Sequence, residues 1–286
     1  MMTLWTILAS ALAILAAAPS ARGQTRIIPA RATMMADMRA IAPGRTFTVG
    51  VLITIEPGWH VYWINPGDAG LATAVKLDLP KGFTAGPIQF PAPIRFMQSE
   101  EVVGYGYIDQ VMLLASVTAP QTLPAGPITI GAEASWLCCR EICLSGGDKL
   151  ELTLPVSDSP RMDHMDLFDH WESRIPRPAG PESAGVVTVQ TRGNHEFFVI
   201  VQWKQPPAEA RFFPAPGDAL RVSDISVKTE GSTTQIRFRA VVPPGEKLHQ
   251  ETMSCVVAYH QGNEPWRGIE ARVPLTKSPD VAQPQE

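Results

Sequence analysis

From Ile128 to Trp136 the chain alternates without a break, with Ile128, Ile130, Ala132, Ala134 and Trp136 on one side and Thr129, Glu133 and Ser135 on the other. Period-two alternation sends successive side chains to opposite faces of a strand, so this segment belongs in a sheet with one face on a core. The pattern recurs between turn signals. Residues 46–55 alternate and are rich in β-branched side chains before Glu56-Pro-Gly58 ends them, and Val61-Tyr-Trp63 is closed by Asn65-Pro-Gly-Asp68. Residues 76–79, 111–117 and 150–154 add further strands. The 27 prolines and 22 glycines disfavour long helices and suit short strands joined by turns. Roughly seven strands at this spacing predict an immunoglobulin-like β-sandwich.

Residues 158–183 read differently. Ser159 suits a helix N-cap with Pro160 in the first helical position, and Met162, Met165 and residues 167–171 give a stripe of helical spacing that Pro176, Pro178 and Pro181 end. A second β region follows, clearest at residues 197–203, 234–240 and 254–259. The expected fold is therefore all-β. It comprises an immunoglobulin-like sandwich at 24–157, a helical, proline-rich linker at 158–183, a second, smaller β-sandwich-like domain at 184–278 and a disordered tail at 279–286.

Residues 4–18 are almost wholly apolar, and Ala21-Arg22-Gly23 offers the small-x-small pattern of a cleavage site before Gln24. Residues 1–23 thus read as a secretory signal peptide, although no Lys or Arg precedes the apolar run, and the expected location is the periplasm. No later segment approaches the ~18 apolar residues of a membrane-spanning helix, so none is expected in the mature chain. The formal net charge is −4 and no Lys/Arg cluster stands out, which argues against nucleic acid as a partner. Hydrolase, zinc-protease and phosphate-loop motifs are missing.

Three of the four cysteines fall in Trp136-Leu-Cys-Cys-Arg-Glu-Ile-Cys143. Thiols this close in an exported chain point to a disulfide that opens and closes. Either Cys138 or Cys139 can reach Cys143 if the chain turns after the strand, whereas a vicinal Cys138–Cys139 ring is strained and comes last. Strand phase puts Cys138 on the face of Trp136 and Cys139 on the opposite, polar face, where a sulfur is more exposed; this favours Cys139 with Cys143. Arg140 is placed to lower a neighbouring thiol's pKa and Glu141 to oppose it. Cys255, alone in the second region, reads as a buried free thiol, with a cross-domain bond to Cys138 as the alternative.

Four ordered motifs carry a family resemblance: Gly58-Trp-His-Val-Tyr-Trp-Ile-Asn-Pro-Gly-Asp68, Gly86-Pro-Ile-Gln-Phe-Pro-Ala-Pro93, Gly104-Tyr-Gly-Tyr107 and the cysteine segment. Together they resemble the N-terminal periplasmic domain of the thiol:disulfide interchange protein DsbD, in the variant found in ScsB-type copper-tolerance proteins. Arg211-Phe-Phe-Pro214 is similar to the rest of the periplasmic part of the ScsB type. The resemblance implies an immunoglobulin-like domain whose pair is Cys139 and Cys143, with Cys138 at a place where the family commonly has an apolar residue. It implies electron flow from a membrane-embedded thiol reductase of the DsbD/CcdA kind to periplasmic thioredoxin-fold proteins, without a cofactor. Full-length members continue into a membrane domain and a thioredoxin-like domain, so the expected donor here is a separate protein. Such a chain is an electron carrier more than an enzyme with a small-molecule substrate.

Further residues enter as accessories. Tyr105 and Tyr107 sit among glycines, which predicts a loop that shields the disulfide as the family's cap does. His60 and Asp68 are candidates for proton transfer, against the plainer reading as surface or turn residues. Two alternatives use the same cysteines: Cu(I) held by Cys138, Cys139 and Cys143, or a structural sandwich module with an inert disulfide. Met34, Met35, Met38, Met162, His164, Met165 and His170 offer a weaker copper set, more simply read as packing.

Overall fold

The computed structural model describes residues 28–98, 101–193, 195–215, 220–245 and 251–275. The expected signal peptide and C-terminal tail lie outside these residues. The described chain is all-β with one helix, as expected. The first unit holds β1 (Ala30–Ala36), β2 (Thr46–Ile55), β3 (His60–Gly67), β4 (Ala74–Asp78) and β5 (Thr84–Ala85). It continues with β6 (Ile94–Met97), β7 (Val103–Tyr107), β8 (Gln110–Thr118), β9 (Ile128–Cys139) and β10 (Cys143–Leu154). After α1 (Met165–Glu172) come β11 (Arg177–Pro178), β12 (Gly185–Arg192), β13 (Glu196–Trp203) and β14 (Glu209–Ala215). The last strands are β15 (Arg221–Glu230), β16 (Thr233–Val241), β17 (Thr252–His260) and β18 (Arg267–Pro274).

In the first unit a sheet ordered β1-β2-β8-β5 faces a larger one ordered β10-β9-β3-β7-β6, with β4 also on β9. The inward-facing residues of β2 and β9 meet between them. Phe47, Val49, Val51, Ile53 and Ile55 come from one sheet, and Ile128, Ile130, Ala132, Ala134 and Trp136 from the other. Fully burying such side chains contributes about 1.5–3 kcal/mol each for the larger aliphatics. The second unit pairs a β11-β18-β17-β14 sheet with a β12-β13-β16-β15 sheet around Phe197, Val199, Phe212, Ile236 and Phe238.

The linker departs from its sequence reading. The helix does not start at Ser159 and Pro160: residue 162 pairs with Met38 as an isolated bridge, and Asp163 N–H donates to the Asp37 carbonyl at 2.7 Å. Backbone pairing to the first sandwich captures this stretch before a helical turn can form. The helix begins after His164, whose φ of 52° is left-handed, and buries Phe168 and Trp171 in the first core. Pro178 does not merely stiffen a linker, since β11 runs parallel to β18 in the second unit. Among the described residues no helix is long and apolar enough to cross a membrane.

Candidate functional site

The alternation of β9 runs without a bulge to its last residue, so Trp136 and Cys138 face the core while Leu137 and Cys139 face outward. A turn of Arg140, Glu141 and Ile142 follows, closed by Arg140 N–H to the Ile142 carbonyl at 3.0 Å. It returns the chain so that Cys143 lies directly opposite Cys139 in the hairpin register. The two are joined by a disulfide with S–S 2.00 Å and Cα–Cα 4.1 Å. Cys143 is exposed and Ile142 beside it is 55% exposed.

Cys139 is not the exposed partner that strand phase suggested: it is 2% exposed. The outward face of the sheet is polar along most of β9, but at this end it is covered. His60 begins β3 directly opposite Cys139, its ring 4.1 Å between centroids from Phe96 on β6 and 5.2 Å, edge-on, from Tyr62. Gln98 Nε2 donates to the Tyr62 hydroxyl at 2.8 Å, and His60 Nε2 lies 3.4 Å from the same oxygen. Burial lowers the His60 pKa below its ordinary 6.5, favouring the neutral ring.

Tyr105 and Tyr107 do not form a shielding loop. Both lie on strand β7 and are buried on the inward face, with the Tyr107 hydroxyl donating to the Pro91 carbonyl at 2.7 Å and Tyr105 edge-on to Phe213 of the second unit. The flanking glycines mark close approach: a Cβ on Gly104 would strike the Phe96 ring, and one on Gly106 the backbone of Val61 and Tyr62. Asp68 lies beyond the opposite end of β3, accepting the Val103 N–H at 2.8 Å, and does not join His60. Arg140 lies with its guanidinium 5.2 Å from the Trp59 ring centre; Glu141 is exposed.

Cys138 and Cys255 are free, buried thiols, and burial raises the pKa of each to about 12. Cys255 donates to the Ala271 carbonyl at 3.5 Å inside the second core rather than bonding Cys138. Because Cys138 points to the core and the disulfide points outward, the three neighbouring sulfurs do not converge on one point, which does not fit a three-thiolate Cu(I) site. Among the described residues no group of three or more His, Cys, Asp or Glu is arranged to hold a metal ion. Of the residues around the disulfide, sequence reading missed Tyr62, Phe96 and Gln98. Tyr62 shares a strand face with His60 two residues away, a signal present in the sequence; Phe96 and Gln98 arrive through long-range pairing and leave none.

Residues 24–155 match the family model described as thiol:disulfide interchange protein DsbD, N-terminal. The N-terminal periplasmic domain of ScsB from Proteus mirabilis is similar over 88% of this chain and 96% of that one, with a TM-score of 0.60 and 14% identity; the likeness is one of fold. The major pilin subunit BcpA of Bacillus cereus, 9% identical over 86% of this chain and 67% of its own, has a TM-score of 0.28 and carries no argument. No curated protein matches the chain significantly.

Proposed function

Residues 24–155 are a DsbD-type N-terminal domain, and from that premise we propose that the chain relays reducing equivalents through Cys139 and Cys143 in the periplasm. One observation carries the reading: the disulfide joins an exposed sulfur at a hairpin tip to a buried one. Disulfide exchange requires a sulfur that an incoming thiolate can reach and a second that leaves. Cys143 is the first and Cys139 the second.

A donor thiolate attacks Cys143 Sγ, the Cys139–Cys143 bond breaks, and Cys139 Sγ leaves with the electron pair. The donor's second thiol then attacks the donor sulfur of the mixed disulfide, releasing Cys143 and leaving the donor oxidised. Two electrons and two protons have entered the domain. The same steps reversed deliver them to a client disulfide. The exposed Ile142 gives a partner an apolar contact beside the reacting sulfur. A membrane-embedded thiol reductase as donor and thioredoxin-fold proteins as clients are the partners this chemistry suits, with residues 1–23 as export signal. The 24–157 unit then holds the reacting pair, 158–183 connects it, 184–278 forms the second sandwich, and 279–286 is a tail.

The test is a glutathione redox titration of the mature protein, with alkylation at each poise and mass-spectrometric mapping of the modified cysteines. Cys139 and Cys143 are expected to open together between roughly −270 and −120 mV. Exchange with a dithiol partner is expected to vanish in Cys139→Ala/Cys143→Ala. A bond still closed well below about −300 mV identifies a structural staple and overturns the reading.

A further inference from the structure

Cys139 stands between two cross-strand neighbours, with Cys143 opposite it on β10 and His60 opposite it on β3. Directly paired residues of an antiparallel sheet project to one face with Cβ atoms about 4.5–5.5 Å apart. His60, Cys139 and Cys143 therefore form a row across the outward face, the buried sulfur in the middle. The imidazole is held in place by Phe96 and Tyr62. Its Nε2 meets the Tyr62 hydroxyl, and its Nδ1 has no hydrogen-bond partner among the described residues.

Exchange poses a problem at Cys139 that it does not pose at Cys143. The exposed Cys143 trades its proton with solvent, whereas a thiolate at Cys139 forms where water scarcely reaches. We propose that His60 is the acid–base partner of Cys139, accepting its proton when that sulfur attacks and returning one when it leaves. This rests on the interchange reading above. When the reduced domain meets a client disulfide, Cys143 thiolate attacks, the client S–S bond breaks and the first client thiolate departs. Cys139 then passes its proton to the His60 imidazole while its sulfur attacks Cys143 Sγ, and the second client thiolate departs. The domain has lost two electrons to the client, and His60 releases the proton to solvent.

The ring is suited to this because half-burial keeps it neutral near pH 7. Among the described residues, the elements around it carry Glu101 in the β6–β7 turn, Tyr105 and Tyr107 on the inward face of β7, the core-facing Cys138, and Glu133, Asp148, Lys149 and Glu151 farther along β9 and β10. Nearer to it are Tyr62 on its own strand, Cys139 and Cys143 across the sheet, Arg140 and Glu141 in the hairpin turn, and Arg95 on β6, which acts on Tyr105. Phe96 and Gln98 bring no charge.

The reduced mature protein mixed with the aromatic disulfide DTNB separates the two steps. Attack by Cys143 releases one thionitrobenzoate, and resolution by Cys139 releases the second. His60→Gln is expected to leave the first phase unchanged and slow the second about a hundredfold at pH 7, the low end of general-base effects. The second phase of the native protein should rise through the imidazole titration below pH 6.5 and level off, whereas the variant's should climb only through the thiol range. Tyr62→Phe provides a check that keeps the imidazole. For Nδ1 to take the Cys139 proton, Nε2 carries the ring hydrogen and donates to the Tyr62 oxygen, which also accepts from Gln98; that bond favours the imidazolium, so its loss should lower the midpoint of the profile. A second phase with native rate and native pH profile in both variants overturns the role of His60. A native protein that releases no thionitrobenzoate overturns the interchange reading itself, and this one with it.

Discussion

Burial sorts the four cysteines of this chain into different chemistries. Cys143 is open to attack, Cys139 is covered, and Cys138 and Cys255 are core side chains whose thiols hold their protons up to about 12. Because burial disfavours the thiolate, each of these two groups has a folded-state pKa above its unfolded value near 9. Below pH 9 both states keep the proton and the stabilisation is fully present. Above it the unfolded chain releases protons that the folded protein retains, so stability falls by up to ~1.4 kcal/mol per pH unit per thiol until the folded thiols also ionise. Cys255→Ala should cost roughly 1 kcal/mol at pH 7. Its urea midpoint should then fall less steeply than the wild type's between pH 9 and 10.5, because the buried tyrosines contribute equally to both curves. Parallel curves would show that Cys255 does not titrate differently in the two states.

At the scale of elements, the β6–β7 hairpin decides how protected the disulfide is. It pairs with β3 and brings Phe96 onto His60, beside Cys139. Phe96→Ala removes that cover while leaving both cores intact, since Phe96 is only partly buried. Reduction of the Cys139–Cys143 bond by dithiothreitol should therefore accelerate several-fold with little change in thermal midpoint, as expected of a largely surface substitution. An unchanged reduction rate would mean that the hairpin does not guard the sulfur. This element also marks where sequence stopped being legible. The alternation at 46–55, 128–136 and 197–203 is local and was readable, as was the inward phase of Cys138. The cover over Cys139 comes from His60 on β3 and Phe96 on β6, both distant in sequence, which periodicity along β9 does not report. Gly104 and Gly106 read as loop residues, yet they occupy a strand whose neighbours leave no space for a Cβ. The helix begins at Met165 and not at Pro160 for a similar reason: pairing with Met38 and Asp37 outweighed a local cap at Ser159.

At the scale of the whole molecule, the two sandwiches share side chains. Phe213 of β14 is fully buried and lies edge-on to both Trp63 and Tyr105, with ring centroids 6.3 and 5.3 Å away, and it belongs with Val256 and Ala258 to the core cluster of the first unit. Asn65 Nδ2 donates to the Pro214 carbonyl at 2.6 Å. Trp63 comes from β3, which pairs with the strand that ends in Cys139, and Tyr105 from β7, the next strand of the same sheet. The second unit is thus packed against the back of the sheet whose front carries the disulfide. This contact should make the two units unfold together. Phe213→Ala removes an aromatic ring from a shared core, a change that typically costs about 3–5 kcal/mol. The loss should fall on the contact as well as on stability, so the single denaturant transition of the native protein should split into two, the disulfide-bearing unit unfolding separately. Tryptophan fluorescence and far-UV circular dichroism, which weight the units differently, should then give different midpoints. Coincident midpoints in the variant would mean that Phe213 does not couple the sandwiches. A native protein that already unfolds in two steps would mean that the second sandwich contributes little to the rigidity of the sheet behind Cys139.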